Sequence, residues 1–255
     1  MRVIALQSGS NGNCIHVETR GVSLVFDAGI SGKQALGRLA AAGGDICLAS
    51  GVVISHDHAD HVRSAGIFQR KFGLPIYATA ETYRAAAARC SLGNVDDVRT
   101  FCAGASLEFG PVRVETIPTP HDGADGTAFV IDDGRRRFGI LTDLGHVFDG
   151  LGELIASLDA VLLESNYDPQ MLSSGPYPAV LKRRIRGPGG HISNVESAEL
   201  LATWAGRRLK WACLGHLSEH NNCPELAMQT HRQIVGNGLG LHIASRYGSA
   251  GPFDV

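Results

Sequence analysis

Six consecutive positions, His56-Asp57-His58-Ala59-Asp60-His61, place three imidazoles among carboxylates directly after the apolar run Gly51-Val52-Val53-Ile54. Few structures other than a metal site need so many histidines so close together, and neutral imidazole with carboxylate is what Zn²⁺ and related divalent ions prefer. The apolar run reads as a buried strand, and Val62 to Phe72 carries an apolar repeat at helical spacing. The cluster is therefore expected in a strand-to-helix loop, at a sheet edge that can hold ligands in place.

Composition sets few further limits. The chain of 255 residues is 44% hydrophobic and 19% charged, with a formal net charge of −2, an ordinary globular balance able to bury a large core. Its length suits a single domain over residues 1–255. A nearly neutral chain has no general attraction to nucleic acid, so any phosphate recognition must come from local features or from metals. Met1 to Ser10 lacks the apolar core of a signal peptide, and no apolar run approaches the roughly 20 residues that span a bilayer. A cytoplasmic protein with no membrane partner is expected. The six cysteines, Cys14, Cys47, Cys90, Cys102, Cys213 and Cys223, show no CxxC spacing and are expected to be reduced thiols.

Periodicity divides the chain into elements. Val3 to Leu6, Cys14 to Glu18 and Val22 to Phe26 predict an antiparallel meander. A helix over Lys33 to Ala42, a strand over Val52 to Ser55, a helix over Val62 to Phe72, a strand over Pro75 to Thr79 and a helix over Ala80 to Arg89 follow. Val112 to Pro118, Thr127 to Asp132 and Arg137 to Thr142 form a second set of strands. Helices over Leu151 to Ser157, Pro178 to Ile185, Val195 to Trp204 and Leu226 to Val235 then interleave with strands over Val161 to Glu164, Trp211 to Leu214 and Leu241 to Ser245. Two strand-rich regions with helices throughout predict a two-layer sheet core flanked by helices.

His121, Asp143 and His216 each sit just beyond one of these strands, where side chains from distant positions can converge. With the cluster, they make a pattern that resembles the metallo-β-lactamase superfamily along essentially the whole chain. The resemblance implies an α+β fold, a four-layer αββα sandwich that binds two divalent metal ions, zinc or else manganese. By position it places His56, His58 and His121 on one metal, Asp60, His61 and His216 on the other, and Asp143 between them. Asp143 separates the chain from the antibiotic-hydrolysing members. The long interval from Asp143 to His216 separates it from thioesterases of the glyoxalase II type.

That interval holds Gly190-His191-Ile192-Ser193-Asn194, with Ser193 or Asn194 a suitable N-cap for the helix that follows. The stretch is similar to the His-x-Ser/Thr segment of the phosphodiesterase branch, including ribonuclease Z, where the histidine contacts the scissile phosphate. Ser8 to Cys14, Glu164 to Asp168 and His216 to Asn222 resemble the YycJ (WalJ) subfamily of exonuclease-like phosphodiesterases, except that His220 stands where that subfamily has Glu. The resemblance implies hydrolysis of phosphodiester bonds, most simply by an exonuclease acting on DNA or RNA. A hydroxide bridging two metals would be the nucleophile, which Asp60 orients and deprotonates. His191 would bind the phosphate or protonate the leaving alkoxide, Ser193 would accompany it at the substrate, and the loop at Ser10 and Asn11 would offer backbone N–H groups to a terminal phosphate.

Asp57 and Asp27 are candidates to hydrogen-bond the ligating imidazoles. Lys182 to Arg186 and Arg207 to Lys210 are candidates to track a nucleic-acid backbone, while Arg135 to Arg137 is expected in a solubilising turn. Two other functions would suit the same metals: a small-molecule hydrolase, either a cyclic phosphodiesterase or a thioesterase, and a non-catalytic regulatory metal-binding module. The sequence leaves DNA against RNA, digestion polarity and oligomeric state open.

Overall fold

Alternating burial decides the architecture. In β1 (Arg2–Gln7), Val3 and Ala5 pack into one apolar cluster, while Ile4 and Leu6 pack into another on the opposite face. A strand buried on both faces must lie between two layers. In a computed structural model that describes residues 1–255, this pattern builds two seven-stranded sheets packed face to face.

The first sheet begins with β1, β2 (Cys14–Thr19) and β3 (Val22–Phe26), the expected antiparallel meander. Helix α1 (Gly32–Ala41) leads to β4 (Val52–Val53), then α2 (Ala59–Val62), α3 (Ala65–Phe72), β5 (Ile76–Thr79), α4 (Ala80–Arg89) and β6 (Val98–Phe101). β3 to β6 pair in parallel. The second sheet repeats the plan. β7 (Ser106–Phe109), β8 (Val112–Pro118), β9 (Thr127–Asp132) and β10 (Arg137–Leu141) run antiparallel. α5 (Leu151–Ala156), β11 (Ala160–Glu164), α6 (Pro169–Ser174), α7 (Ala179–Arg186), α8 (Asn194–Trp204), β12 (Trp211–Gly215), α9 (Pro224–Val235) and β13 (Gly240–Ile243) follow, with β10 to β13 parallel. The last strand, β14 (Ala250–Asp254), crosses back to pair antiparallel with β1.

The central cluster between the sheets includes Phe26 of β3 and Phe129 of β9, with ring centroids 5.1 Å apart. A second cluster lies between the first sheet and α1, α3 and α4, and a third between the second sheet and α5, α8 and α9. The four layers are the expected αββα sandwich. No helix is long and apolar enough to cross a membrane. All six cysteines are free thiols.

Several boundaries differ from the sequence expectation. The helix after the histidine cluster does not start at Val62. A short α2 begins at Ala59, inside the cluster, and breaks before α3 starts at Ala65. Two strands, β6 and β7, together with α6 and β14, carried no clear apolar run; the burial patterns of the three strands are mostly exposed or mixed. Arg137 lies in β10 rather than in a solubilising turn. It is partly buried, with Nη1 donating to Glu115 Oε1 and to Asp132 Oδ2, each at 2.8 Å.

Candidate metal centre

Pairing direction explains why distant residues meet. β1, β3 and β4 run one way in the first sheet, as do β8, β10, β11 and β12 in the second, so the residues that follow them emerge at sheet ends. Asp27 follows β3, the His56 to His61 cluster follows β4, His121 follows β8, Asp143 follows β10, Glu164 ends β11 and His216 follows β12. Only a glycine fits at position 29. A Cβ there would lie 1.6 Å from the carbonyl oxygen of Asp60.

Asp27 sets the geometry of the cluster. Its carboxylate accepts from Ser55 N (2.8 Å) and Ser55 Oγ (3.0 Å), and from His61 Nδ1–H at 2.7 Å. That last bond leaves the lone pair of His61 on Nε2, 3.3 Å from Asp143 Oδ2 and 3.5 Å from Asp60 Oδ2, with Asn13 Nδ2 at 2.9 Å. His121 follows the same logic: Nδ1–H donates to Gly190 O at 2.8 Å, and Nε2 lies 3.3 Å from His58 Nδ1. His56 packs edge-on against the His58 and His121 rings, at centroid distances of 4.6 and 5.1 Å. Its Nε2 is buried without a hydrogen-bond partner, and so is Asp143 Oδ2. Each such orphan costs about 1–3 kcal/mol, a cost that a bound cation removes.

Four groups bring their ligand atoms within 4.8 Å of one another: Asp143, Glu164, His191 and His216 form one, and the other three are His56, His58 and His121; His56, His61 and Asp143; and Asp60, His61 and His216. The last three together comprise the seven residues singled out in the sequence. The electrostatics agree with a cation. Burial lowers the proton affinity of His56 and His58, and their neighbouring rings lower it further. On the other side, burial opposes the charge of His216, yet Asp143, Asp60 and Glu164 hold its pKa up to about 10. Against the same effect of burial, Asp143, Asp27 and Asp60 hold His61 well above the usual range. Burial disfavours ionised Asp60 and Asp143, but the adjacent imidazoles keep both carboxyls low. One half of the site therefore excludes protons and the other demands positive charge. Nitrogen and oxygen donors in this arrangement fit divalent ions.

Sequence reasoning passed over Glu164 as a functional residue. It is fully buried, and its Oε1 accepts from His191 Nδ1–H at 2.6 Å, while Oε2 accepts from Leu144 N (3.1 Å) and Ile192 N (3.3 Å). The signal was a carboxylate closing the apolar strand Ala160-Val161-Leu162-Leu163. His191 thus stands in the wall of a pocket of about 200 Å³ with Ser10, Asp60, Asp143 and His216. Its ring centroid lies 4.9 Å from that of His121 and 5.2 Å from that of His216. Asn166 supports His216 from behind, donating from Nδ2 to the His216 carbonyl at 2.8 Å.

Other expected residues are placed differently. Asp57 hydrogen-bonds none of the candidate ligand imidazoles; it accepts from Ala124 N at 2.7 Å and pairs with Arg89, anchoring the loop that carries His121. Ser193 does not line the pocket. Its hydroxyl donates to Glu196 Oε2 at 2.6 Å and accepts from Glu196 N at 3.2 Å, forming the capping box of α8. Asn11 lines a neighbouring pocket rather than this one. Arg184 borders the metal pocket, but it is already paired with Asp122 at 2.6 and 2.9 Å. Arg207 to Lys210 precede β12 and so lie at the opposite strand end from His216.

The sequence matches the beta-lactamase superfamily domain over residues 23–212. The chain belongs to the beta-lactamase superfamily. Two curated relatives of this superfamily member are exodeoxyribonucleases. WalJ of Streptococcus pneumoniae is 35% identical over 241 residues, covering 93% of this chain and 90% of that protein. YycJ of Bacillus anthracis is 35% identical over 240 residues, covering 92% and 90%. Among solved structures, the metallo-beta-lactamase fold protein YhfI of Bacillus subtilis superposes with a TM-score of 0.74 at 18% identity, covering 96% of this chain and 95% of that one. With this fold and this level of identity to named enzymes, the superfamily member described here is a hydrolase.

Proposed function

We propose that the protein is a metal-dependent phosphodiesterase that trims nucleic acid as an exonuclease, with residues 1–255 acting as one catalytic domain. The carrying observation is His191, braced by Glu164 and placed in the same pocket wall as Asp60, Asp143 and His216. The exodeoxyribonuclease names of relatives 35% identical support the same substrate class. His56, His58 and His121 hold one divalent ion, Asp60, His61 and His216 a second, and Asp143 lies between the two sets. Two ions in such a centre lower the pKa of water towards about 7 and neutralise the oxygens of a phosphodiester.

The protein's own groups supply the rest. Asp27 and Gly190 O fix the tautomers of His61 and His121, so that the opposite ring nitrogens face the centre. Asp60 is the proton acceptor on the attacking side. His191 donates Nδ1–H to Glu164, which leaves Nε2 as the ring nitrogen that meets the phosphate and the leaving alkoxide. Tyr177 and Leu181 line the same pocket and offer apolar and aromatic surface to a base or sugar.

Purified protein loaded with Zn²⁺ or Mn²⁺ is expected to hydrolyse bis(p-nitrophenyl) phosphate and to shorten a labelled DNA strand from one end. His191→Ala is expected to lose about 100-fold or more in kcat with metal content retained. Absence of phosphodiester hydrolysis with either metal overturns the proposal.

A further inference from the structure

Across the Ser8 to Asn13 loop from the metal pocket lies a second pocket of about 360 Å³. Three guanidinium groups from separate parts of the chain line it: Arg38 from α1, Arg63 from the residue after α2 and Arg246 from the segment after β13. They are held mainly by neutral oxygens. Arg38 donates to Leu6 O (3.0 Å) and Tyr247 O (2.9 Å), Arg63 Nε to Gly29 O (2.7 Å), and Arg246 to Leu217 O (2.7 Å). Only Arg246 also meets a carboxylate, Glu219 at 3.1 Å. Arg38 and Arg63 therefore bring two positive charges to one concavity with no protein anion between them. By contrast, Arg184 at the metal pocket is neutralised by Asp122.

Two further observations point to a ligand. Arg246 Nε is a buried donor without a partner, and the Arg246 side chain is only 11% exposed. The pocket is also tied along the chain to the metal pocket. Asn11 accepts from Arg63 through its carbonyl and donates from Nδ2 to Arg246 O at 3.0 Å, while the preceding residue, Ser10, lines the metal pocket. Tyr247, 68% exposed, stands at the rim.

We propose that this pocket is a phosphate-binding subsite for the nucleic-acid strand whose scissile phosphate occupies the metal pocket, with Arg38 and Arg63 receiving a neighbouring phosphate and Tyr247 presenting its ring to a base. The subsite rests on the phosphodiesterase proposal for the metal pocket. Guanidinium groups match phosphate oxygens in charge and planar geometry, and an exposed tyrosine ring accepts any base face. The net charge of the chain is −2, so local unneutralised cations such as this pair add to whatever attraction the metals supply.

The test uses metal-free protein of residues 1–255 and a fluorescein-labelled single-stranded DNA 15-mer, with anisotropy measured between 50 and 200 mM salt. Arg63→Gln and the Arg38→Gln, Arg63→Gln double variant are expected to bind about tenfold or more weakly than the unaltered protein. The salt slope is expected to fall by about 0.7 for each phosphate no longer neutralised. Arg63→Lys, which keeps the charge, is expected to retain the slope and so separates removal of a cation from failure to fold. Equal affinity and slope in all variants, or no binding of the 15-mer by the unaltered protein, overturns the subsite. Hydrolysis of bis(p-nitrophenyl) phosphate by the metal-loaded protein is measured in parallel. If hydrolysis is absent while DNA binding still depends on Arg63, the phosphodiesterase proposal falls and the anion subsite stands. If the enzyme is active while binding is independent of the arginines, the subsite falls and the phosphodiesterase stands.

Discussion

Asp27, Asp143 and His216 all adopt left-handed backbone, with φ of 63°, 57° and 54°, within two residues of a strand end. Side chains other than glycine pay roughly 1 kcal/mol or more for that conformation, and here each turn swings a ligand or its support into the centre. Glu164 is the link that ties these turns together. One oxygen accepts a hydrogen bond from His191 Nδ1–H and the other accepts from two backbone N–H groups, of Leu144 beside Asp143 and of Ile192 beside His191. An amide cannot replace it without either setting an NH₂ against a donor or forcing His191 into the tautomer that carries its proton on Nε2. Glu164→Gln is therefore expected to lower kcat for bis(p-nitrophenyl) phosphate by about 10–100-fold and to destabilise the fold by about 1–3 kcal/mol. Steady-state kinetics, metal analysis and urea unfolding check this; a variant with unchanged kcat would remove Glu164 from any positioning role.

Strands buried on one or both faces were legible from apolar runs, and helix α4 and strands β8 and β9 fall where periodicity put them. The convergence of the candidate metal ligands was legible too, because each follows such a run. What escaped the sequence lies in elements with little apolar signal. β6 and β14 gain their place by pairing with a neighbour rather than by their own pattern, and Arg38, Arg63 and Arg246 are isolated in sequence and meet only through the fold. The start of α8 shows a further limit: Ser193 satisfies both a capping rule and a substrate-contact analogy, and only the geometry separates them. As a cap, Ser193→Ala is expected to cost about 1 kcal/mol of stability and to leave KM for the small ester unchanged. A raised KM without loss of stability would restore Ser193 as a substrate contact.

The two sheets repeat one plan, an antiparallel meander continued by parallel strands, and each protects its own outer apolar layer. Each half also buries a histidine unconnected with the metal centre. His16 of β2 is 2% exposed, its Nε2 bonded to Ser23 Oγ at 2.8 Å and its Nδ1 without a partner. His231 of α9 is fully buried, donating Nδ1–H to Ala227 O at 2.8 Å with Nε2 3.2 Å from Ser197 Oγ of α8. Burial lowers both pKa values to about 4, with Arg2 adding to the effect at His16. In unfolded chain the same rings titrate near 6.5, so between pH 6.5 and 4 the unfolded state binds more protons and stability falls as pH falls. Each ring converts to at most about 3 kcal/mol across that window. Urea unfolding of metal-free protein at pH 7.5 and 4.5 measures the total loss, to which the metal-site groups also contribute. Comparison with His231→Gln isolates one ring, because every other titration is shared. The variant is expected to lose less stability than the unaltered protein over this interval, by about 1–3 kcal/mol, and equal losses in the two proteins would mean that His231 does not titrate as a buried neutral ring.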